Sequence, residues 1–405
     1  MIQYLTEEEK KNCRSLWEEA FPEDSREFGD YYFQEKIKNN RILALTEENE
    51  GLRMQEADGR ESEVLLGRVE AMLHQNPYRL MVRGQQWKVD YLVGVATRKD
   101  KRHRGYMRLL LTCMMAHMRQ ERMPFCFLMP ADEAIYRPFG FTFIYRQPWF
   151  EWKDGTQRLS LQRLVPCEDS SGESCNLAAA AEWMNHWLKK YFEVYAVRDE
   201  AYLQQLAREL ISENGTLDVF YDQGEIVAME SWWGREKRER RLLYGDPPYV
   251  RRSDEEEKPA IMARIITPEE MVRVIRLKDL QDRDYEKFKD LSWENKEEGA
   301  VTDIPGIYGG RNSAEENFRR RRERNLCILL RLKDPLIAEN DGLWLWHLNR
   351  DTSWMERSEQ SRPADLTLTT EELTAWLFGY QVPEAAGKFA CLIDTLSGVF
   401  LDEIV

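Results

Sequence analysis

The sequence lacks the features by which membrane-spanning, disulfide-rich and zinc-binding proteins are recognised. No stretch approaches the ~20 predominantly apolar residues that a membrane helix needs, and glutamates stand at residues 7–9 instead of the apolar core of a signal peptide. The 7 cysteines are scattered singly, without a Cys-x-x-Cys pair, and the 5 histidines show no metal-ligand spacing. These absences predict a soluble cytoplasmic protein that has no membrane partner, no disulfide framework and no metal site.

A basic surface is also lacking, because the formal net charge is -14 at pH 7. Neutralising phosphates requires a basic face, so no nucleic-acid partner is expected. An acidic chain favours a cationic amine as substrate, although solubility alone also explains an acidic surface. The acidic excess lies after residue 148, whereas residues 1–148 carry equal numbers of basic and acidic side chains. The balanced N-terminal third is therefore the part in which we expect an anionic cofactor.

Length and pattern predict three domains of mixed helix and strand. A chain of 405 residues is too long for one ordinary core. Strands and helices alternate over the first part, which indicates an α/β domain, and the pattern restarts near Trp149. The charged run Arg251–Pro259 ends in proline and is typical of a linker. We therefore expect domains at residues 1–148, 149–259 and 260–405.

A strand, a basic loop and a helix follow one another in the stretch that carries the clearest chemistry. Apolar side chains alternate along the strand that ends at Thr97, and Gly105 precedes a helix with an apolar stripe. The first turn of a helix has unpaired N–H groups and the positive end of the helix dipole, which suit a pyrophosphate. A solvated loop that caps a core helix is the alternative. The candidate cofactor-binding residues are Leu92, Val93, Gly94, Val95, Arg102, His103, Arg104, Gly105, Tyr106, Met107 and Arg108, with Ala131 and Asp132 after the next strand.

A second motif follows the strand that precedes Ala131, and this strand is predicted to be buried. The segment Ile135–Phe141 contains an Ile-Tyr pair, two further residues and then Phe-Gly-Phe. Together with the first motif, it resembles the enhanced intracellular survival (Eis) acetyltransferases of the GNAT superfamily. Arg102 and Gly105 fit the superfamily's pattern Arg-x-x-Gly-x-Gly/Ala, whereas Met107 departs from its small final residue.

The resemblance extends over nearly the whole chain. Residues 149–259 lack the cofactor motif, as does the family's second acetyltransferase-like domain, and the segment Pro335–Tyr380 is similar to sterol carrier proteins. The implied fold class is α/β (α+β), with two acetyltransferase-like (GNAT) domains in tandem and a C-terminal sterol-carrier-protein-like α/β domain. The family also implies a homo-oligomer, in the form of a hexamer.

The resemblance implies an N-acetyltransferase that uses acetyl-CoA as co-substrate and a primary amine as direct attacker. The acceptor is a cationic small molecule (aminoglycoside-like or a polyamine) or a lysine of a peptide, and the sequence does not choose among them. In the family a tyrosine is the general acid and the C-terminal carboxylate is the general base, which correspond to Tyr136 and Val405. The apolar tail predicts a docked chain end, with Asp402 or Glu403 as alternative bases. The alternative to an enzyme is a non-catalytic acyl-CoA- or lipid-binding regulatory protein.

Overall fold

A computed structural model describes residues 1–47, 54–55, 61–62, 67–166, 177–235, 237–279, 288, 291–295 and 324–402. The loop predicted over residues 47–63 and the charged segment 281–325 lie mostly outside these ranges, and so do Glu403 and Val405. No helix within the described ranges is long and apolar enough to cross a membrane.

Residues 1–148 form alternating strands and helices, as the sequence predicts. The strands are β1 (Ile2–Tyr4), β2 (Arg41–Thr46), β3 (Met54–Gln55), β4 (Glu61–Ser62), β5 (Val69–Val82), β6 (Gln85–Thr97), β7 (Phe125–Leu128), β8 (Thr142–Phe143) and β9 (Arg146–Gln147), and the helices are α1 (Arg14–Ala20), α2 (Arg26–Gln34), α3 (Tyr106–Gln120) and α4 (Glu133–Tyr136). Two separate strands are expected over residues 69–73 and 78–82, but the structure has the single strand β5. Pro77 is tolerated inside it because one edge of β5 pairs with β6 there, while the other edge pairs with β2 only as far as Gln75.

The second unit has its own antiparallel sheet and two helices. Its elements are β10 (Phe150–Trp152), β11 (Ser160–Leu164), α5 (Leu177–Tyr191), β12 (Val194–Ala196), α6 (Glu200–Ser212), β13 (Thr216–Asp222), β14 (Glu225–Trp233), β15 (Glu239–Gly245), β16 (Val250–Arg252) and β17 (Lys258–Pro259). Four strands pair in the order β11-β13-β14-β15, and α5 and α6 share an apolar core with them. The predicted linker Arg251–Pro259 is not an unpaired segment, because β16 pairs with β10 and β17 pairs with β9.

The third unit contains a second mixed sheet and short helices. Its elements are β18 (Met262–Ile265), α7 (Pro268–Met271), β19 (Arg276–Leu277), β20 (Trp293–Asn295), β21 (Arg324–Lys333), β22 (Gly342–Leu348), β23 (Ser353–Arg357), β24 (Leu366–Thr369), α8 (Thr370–Leu377), α9 (Gly387–Ala390), β25 (Ile393–Asp394) and β26 (Val399–Phe400). Strands β20 to β23 pair in sequence order, with β24 parallel to β21. A capping box between Thr369 and Glu372 starts α8. The sequence predicts the cap one residue later, at Thr370.

The central sheet of the first unit is completed by strands from the other two units. Its order is β1-β2-β5-β6-β7-β18-β8, so β18 of the third unit lies between β7 and β8. Strand β12 of the second unit extends β5 at Leu80–Val82, and β26 pairs with β12 in parallel. One buried apolar cluster therefore includes Trp17, Val93 and Trp376. The domain boundaries at residues 148 and 259 stay a prediction. The central sheet contains strands from all three of the predicted domains.

Candidate active site

Two parallel strands separate to form the main cleft of the first unit. Among the described residues, β6 and β7 share a single registered pair, Tyr91 with Phe127. The rings of these two residues stack with their centroids 5.0 Å apart. A cavity of about 870 Å³ lies along β6, between the N-terminal end of α3 and the segment that carries Tyr136. A concave site of this size is suited to a cofactor or small-molecule ligand.

The cavity brings together most of the residues that the sequence singles out. Two of the predicted cofactor-binding residues do not line it: the Arg104 guanidinium donates to the carbonyl oxygen of Asp100 at 3.4 Å, and the Asp132 carboxylate accepts from the N–H of Ala134 at 2.9 Å, which makes Asp132 the N-cap of α4. The predicted residues that line the cavity are Leu92, Val93, Gly94, Val95, Arg102, His103, Gly105, Tyr106, Met107, Arg108, Ala131 and Tyr136.

A bulge shapes the strand side of the cavity. Gly94 and Val95 of β6 together oppose one residue of β5, because the pairing shifts between Met72 and His74. Gly94 has φ +56, and a Cβ atom there would lie 2.7 Å from the ring of Trp17. Glycine is therefore required for the close approach of α1. A bulge of this kind re-aims backbone groups, which here border the cavity.

The loop before α3 forms the opposite end of the cavity. Gly105 has φ +79, and a Cβ atom added there would meet nothing within 4 Å. The free N–H groups of the first turn of α3 and the side chains of Arg102, His103 and Arg108 lie at this end. The helix dipole and the two arginines give this end a positive potential, which suits a phosphate group.

Tyr136 lies at the end of α4, on the side of the cavity formed after β7. Its side chain is 9% exposed and packs edge-on against Phe141 at a centroid distance of 6.0 Å. Burial raises the pKa of its phenol to about 12. The phenol is therefore protonated at neutral pH and is able to donate a proton or a hydrogen bond.

The third unit anchors the segment that carries Tyr136. Arg264 on β18 donates from Nε to the carbonyl oxygen of Phe139 at 2.6 Å, and from Nη2 to Asp334 at 2.6 Å. The side chains of Arg264 and Asp334 are 1% and 0% exposed. Arg137 donates to Glu371 of α8 at 2.7 Å. The position of the tyrosine therefore depends on contacts with residues far along the chain.

The cavity also includes residues that sequence reasoning missed. Trp17, Phe21, Glu23 and Asp24 reach it from α1 and the loop that follows. The indole nitrogen of Trp17 donates to the Asp24 carboxylate at 2.7 Å, and burial outweighs this bond and raises the pKa of Asp24 to about 6. The aromatic and acidic residues around Pro22 were the only sequence feature that could have indicated this part of the site, but their spacing matches no motif.

The tail docks between the first and second units as far as it is described. Val399 and Phe400 pair with β12, and the Leu401 N–H lies 3.3 Å from the hydroxyl oxygen of Tyr145. Asp402 is buried in an ion pair with Arg198. Residues 399–402 are therefore held by the first and second units, and docking of the chain end in the cavity stays a prediction. The two other candidate bases, Glu403 and Val405, lie outside the described residues.

Neither a thiol nucleophile nor a metal ion is indicated in the described part of the chain. Burial raises the pKa values of Cys13 and Cys126 to about 12, so these thiols are neutral. None of the five described cysteines lines the cavity. Within the described ranges, no three His, Cys, Asp or Glu side chains are grouped so that they could hold a metal ion.

Two parts of the chain match known protein families, and nearly the whole chain is similar in fold to solved structures. Residues 1–144 match the acetyltransferase (GNAT) domain, and residues 315–395 match the sterol carrier protein domain. A probable N-acyltransferase from Enterococcus faecalis V583 is similar with a TM-score of 0.65 and 11% identity, over 98% of this chain and 93% of that one. Eis1 from Mycobacterium abscessus is similar with a TM-score of 0.57 and 10% identity, over 98% and 94%. No curated protein sequence gives a match.

A third structural relative is a GCN5-related N-acetyltransferase from Kribbella flavida, with a TM-score of 0.63 and 14% identity over 100% of this chain and 98% of that one. The site and these matches define the class: residues 1–144 are an acetyltransferase (GNAT) domain. The predicted resemblance is confirmed, because the chain joins this domain to a C-terminal sterol carrier protein domain and has the fold of Eis1.

Proposed function

We propose that the chain transfers an acetyl group from acetyl-CoA to a primary amine of a cationic acceptor. The observation that carries the proposal is that one cavity is lined by the bulged strand, the helix N-terminus and Tyr136. The positive end at Gly105, Arg102 and Arg108 suits the pyrophosphate of CoA. The backbone of Leu92–Val95 is suited to binding the pantetheine arm beside β6.

The bond changes of the proposed reaction are those of direct acyl transfer. The neutral amine attacks the thioester carbonyl, and backbone N–H groups of the bulged strand stabilise the oxyanion of the tetrahedral intermediate. The C–S bond then breaks, and the Tyr136 phenol donates a proton to the departing sulfur. A base takes the proton that the amine loses. No covalent intermediate with the protein is formed.

The proposed base is the α-carboxylate of Val405. The support is the docked position of residues 399–402 between the first and second units. A terminal carboxyl group has a pKa near ~3.5 in water, so the site would have to raise it or act through a water molecule. Asp402 is less suited to this role because its carboxylate is already paired with Arg198.

The acidic wall of the cavity supports a cationic acceptor. Glu23 and Asp24 lie in the same cavity as Tyr136 and Gly94. Carboxylates in a partly buried wall attract an ammonium group before it loses its proton. An aminoglycoside, a polyamine and a lysine side chain all satisfy this chemistry.

The test is to mix the full-length protein with acetyl-CoA and a panel of these three amine classes, and to measure release of the CoA thiol. Release that depends on both the protein and an amine supports the proposal. Binding of acetyl-CoA without release for any amine would favour the non-catalytic acyl-CoA-binding alternative, and lipid binding without CoA binding would favour a lipid carrier. Light scattering tests the proposed homo-oligomeric (hexameric) state, and limited proteolysis tests the proposed domains at 1–148, 149–259 and 260–405.

A further inference from the structure

The strand contact of the tail does not by itself fix the register of the tail. β26 has two residues, and their contacts are apolar: Val399 lies in the large core cluster, and Phe400 stacks on Phe192 at a centroid distance of 4.8 Å. Apolar contacts discriminate poorly between neighbouring registers, while a slip of one residue turns each side chain to the opposite face. Hydrogen bonds from Ser397 to the Glu193 carboxylate and between Leu401 and the Tyr145 hydroxyl add polar contacts on either side of β26, and a buried ionic contact discriminates between registers more strongly.

Asp402 supplies that contact. One oxygen of its carboxylate accepts a hydrogen bond from Nη2 of Arg198, and the other accepts one from the hydroxyl of Tyr244. The side chains of Arg198 and Asp402 are 0% and 3% exposed. The Arg198 guanidinium also lies over the ring of Tyr202, 4.3 Å from its centroid. We call Arg198 and Tyr244 the tail clamp.

The tail clamp is itself held in a fixed position. The backbone N–H of Arg198 donates to the Asn185 side chain at 2.9 Å, and the amide of Asn185 donates back to the Arg198 carbonyl at 2.6 Å. Asn185 belongs to α5 and Tyr244 to β15, so two elements of the second unit position the two donors. The clamp is therefore formed by the second unit independently of the tail.

A buried ion pair adds more to specificity than to stability. Removing two charges from water costs about as much as their attraction returns, so an apolar pair of similar volume often gives equal stability. The Arg198–Asp402 pair instead penalises other registers. A slip that puts Leu401 beside Arg198 leaves a buried cation without its carboxylate, and a slip the other way reverses the faces of Val399 and Phe400.

We propose that Arg198 is a positioning residue, which pairs with Asp402 to set the register of the tail and so presents the carboxylate that follows to the active-site cavity. The inference rests on the proposed function, in which the tail supplies the base. It assigns a role to the second unit, none of whose described residues lines the cavity.

The first experiment measures docking without measuring activity. The full chain is incubated with carboxypeptidase Y, and the released residues are followed by mass spectrometry. Release in the wild type should slow at Asp402, whereas in Arg198→Met it should continue through Leu401 at a rate at least about tenfold higher, because the buried Asp402 carboxylate then lacks its cation and keeps only the Tyr244 hydrogen bond. Arg198→Lys keeps the cation and should restore part of the protection. Arg208→Met removes a half-exposed cation of α6 and is the matched control.

The second experiment measures turnover in a variant that is expected to fold. Arg198→Met combined with Asp402→Leu and Tyr244→Phe replaces the buried pair by apolar side chains and also removes the hydroxyl that would lose its acceptor, so the melting temperature of this triple variant should stay close to that of the wild type. Its affinity for acetyl-CoA should be unchanged, while kcat should fall at least about tenfold because the tail is no longer held in register.

The two experiments separate the positioning role from the proposed base. Equal release from the wild type and Arg198→Met would overturn the positioning role of Arg198. Faster release from Arg198→Met, with wild-type kcat in the triple variant, would support the clamp and contradict a base in the tail. Faster release together with reduced kcat supports both.

Discussion

The indole nitrogen of Trp17 lies 2.7 Å from Oδ2 of Asp24. The ring of Trp17 also packs against the strand at Gly94, where only a hydrogen atom leaves enough room. One tryptophan therefore joins the bulged strand to a carboxylate that lines the cavity. This relationship makes Asp24 the residue of the acidic wall whose orientation is best defined.

Asp24→Asn should raise the KM for the amine about tenfold or more while leaving the affinity for acetyl-CoA unchanged. The reason is that the amide keeps the hydrogen-bonding shape but loses the charge that attracts an ammonium group. Steady-state kinetics and calorimetry with CoA measure the two effects. Asp30→Asn, which removes a carboxylate bound to Arg14 outside the cavity, is the control. An unchanged amine KM in Asp24→Asn would remove Asp24 from acceptor recognition.

Asp24 should also give the reaction and the fold a pH dependence near pH 6. Burial raises its pKa from 3.8 to about 6, so the amine KM should rise as the pH falls through this value. For stability the sign is opposite: the folded state binds the proton more tightly than the unfolded state, so this contribution is present below pH 3.8 and is lost as the pH rises through 6. Asp24→Asn should therefore melt a few degrees higher than the wild type at pH 7, and it should lack the acidic limb of the KM profile. A retained limb would assign it to another group.

Tyr136→Phe should lower kcat by roughly 10²–10⁴-fold with little change in acetyl-CoA affinity, because the phenol proton is used only when the thiolate leaves. Tyr106→Phe is the comparison, since it removes a phenol from the cofactor end of the same cavity, where any loss should appear in acetyl-CoA affinity and not in kcat. Turnover of Tyr136→Phe at the wild-type rate would leave Tyr136 with a packing role against Phe141.

Gly105→Glu should abolish CoA binding, because it places bulk and negative charge in the open space before α3. Any residue other than glycine is also strained at φ +79, so strain needs its own control. Gly84 has the same φ of +79 with nothing within 4 Å of an added Cβ atom, and it lies outside the cavity. Gly84→Glu should bind CoA as the wild type does. Equal affinity in both variants would contradict the phosphate site at Gly105.

Adding residues after Val405 should inactivate the enzyme without unfolding it. The extension converts the α-carboxylate into an amide and adds bulk, while the contacts of residues 399–402 are retained. Glu403→Gln is the comparison, because Glu403 is the remaining candidate base once Asp402, whose carboxylate is paired with Arg198, is set aside. Full activity of the extended protein, together with loss of activity in Glu403→Gln, would move the base to that side chain.

The part of the site that the sequence predicts is the part made by neighbouring residues. Strand β6, the basic loop and α3 are continuous in the chain, so alternation, the glycine position and the resemblance to the acetyltransferase motif together predicted a cofactor site there, and most of the predicted residues from Leu92 to Arg108 line one cavity. The segment around Tyr136 could also be predicted from the sequence, because its motif follows a strand directly.

The rest of the site depends on contacts between residues that are far apart in the chain. Such contacts cannot be predicted from the pattern of a single sequence. Asp24 meets the cavity only because α1 packs on Gly94, and Asp402 meets Arg198 across a sequence separation of 204 residues. Strand β18 has four residues and no periodicity of its own, so its sequence does not predict that it lies between β7 and β8. The residue with the clearest polar anchoring, Arg264, was therefore missed.

The place of β18 in the central sheet has a consequence for biosynthesis. When the first unit has left the ribosome, β7 and β8 still lack the strand that lies between them, and that strand is made only after the whole second unit. Until then β7 presents an unpaired edge and Phe139 lacks its bond to Arg264. A nascent first unit should therefore depend on chaperones, and a recombinant fragment that stops near residue 148 should aggregate even though it contains every predicted CoA-binding residue.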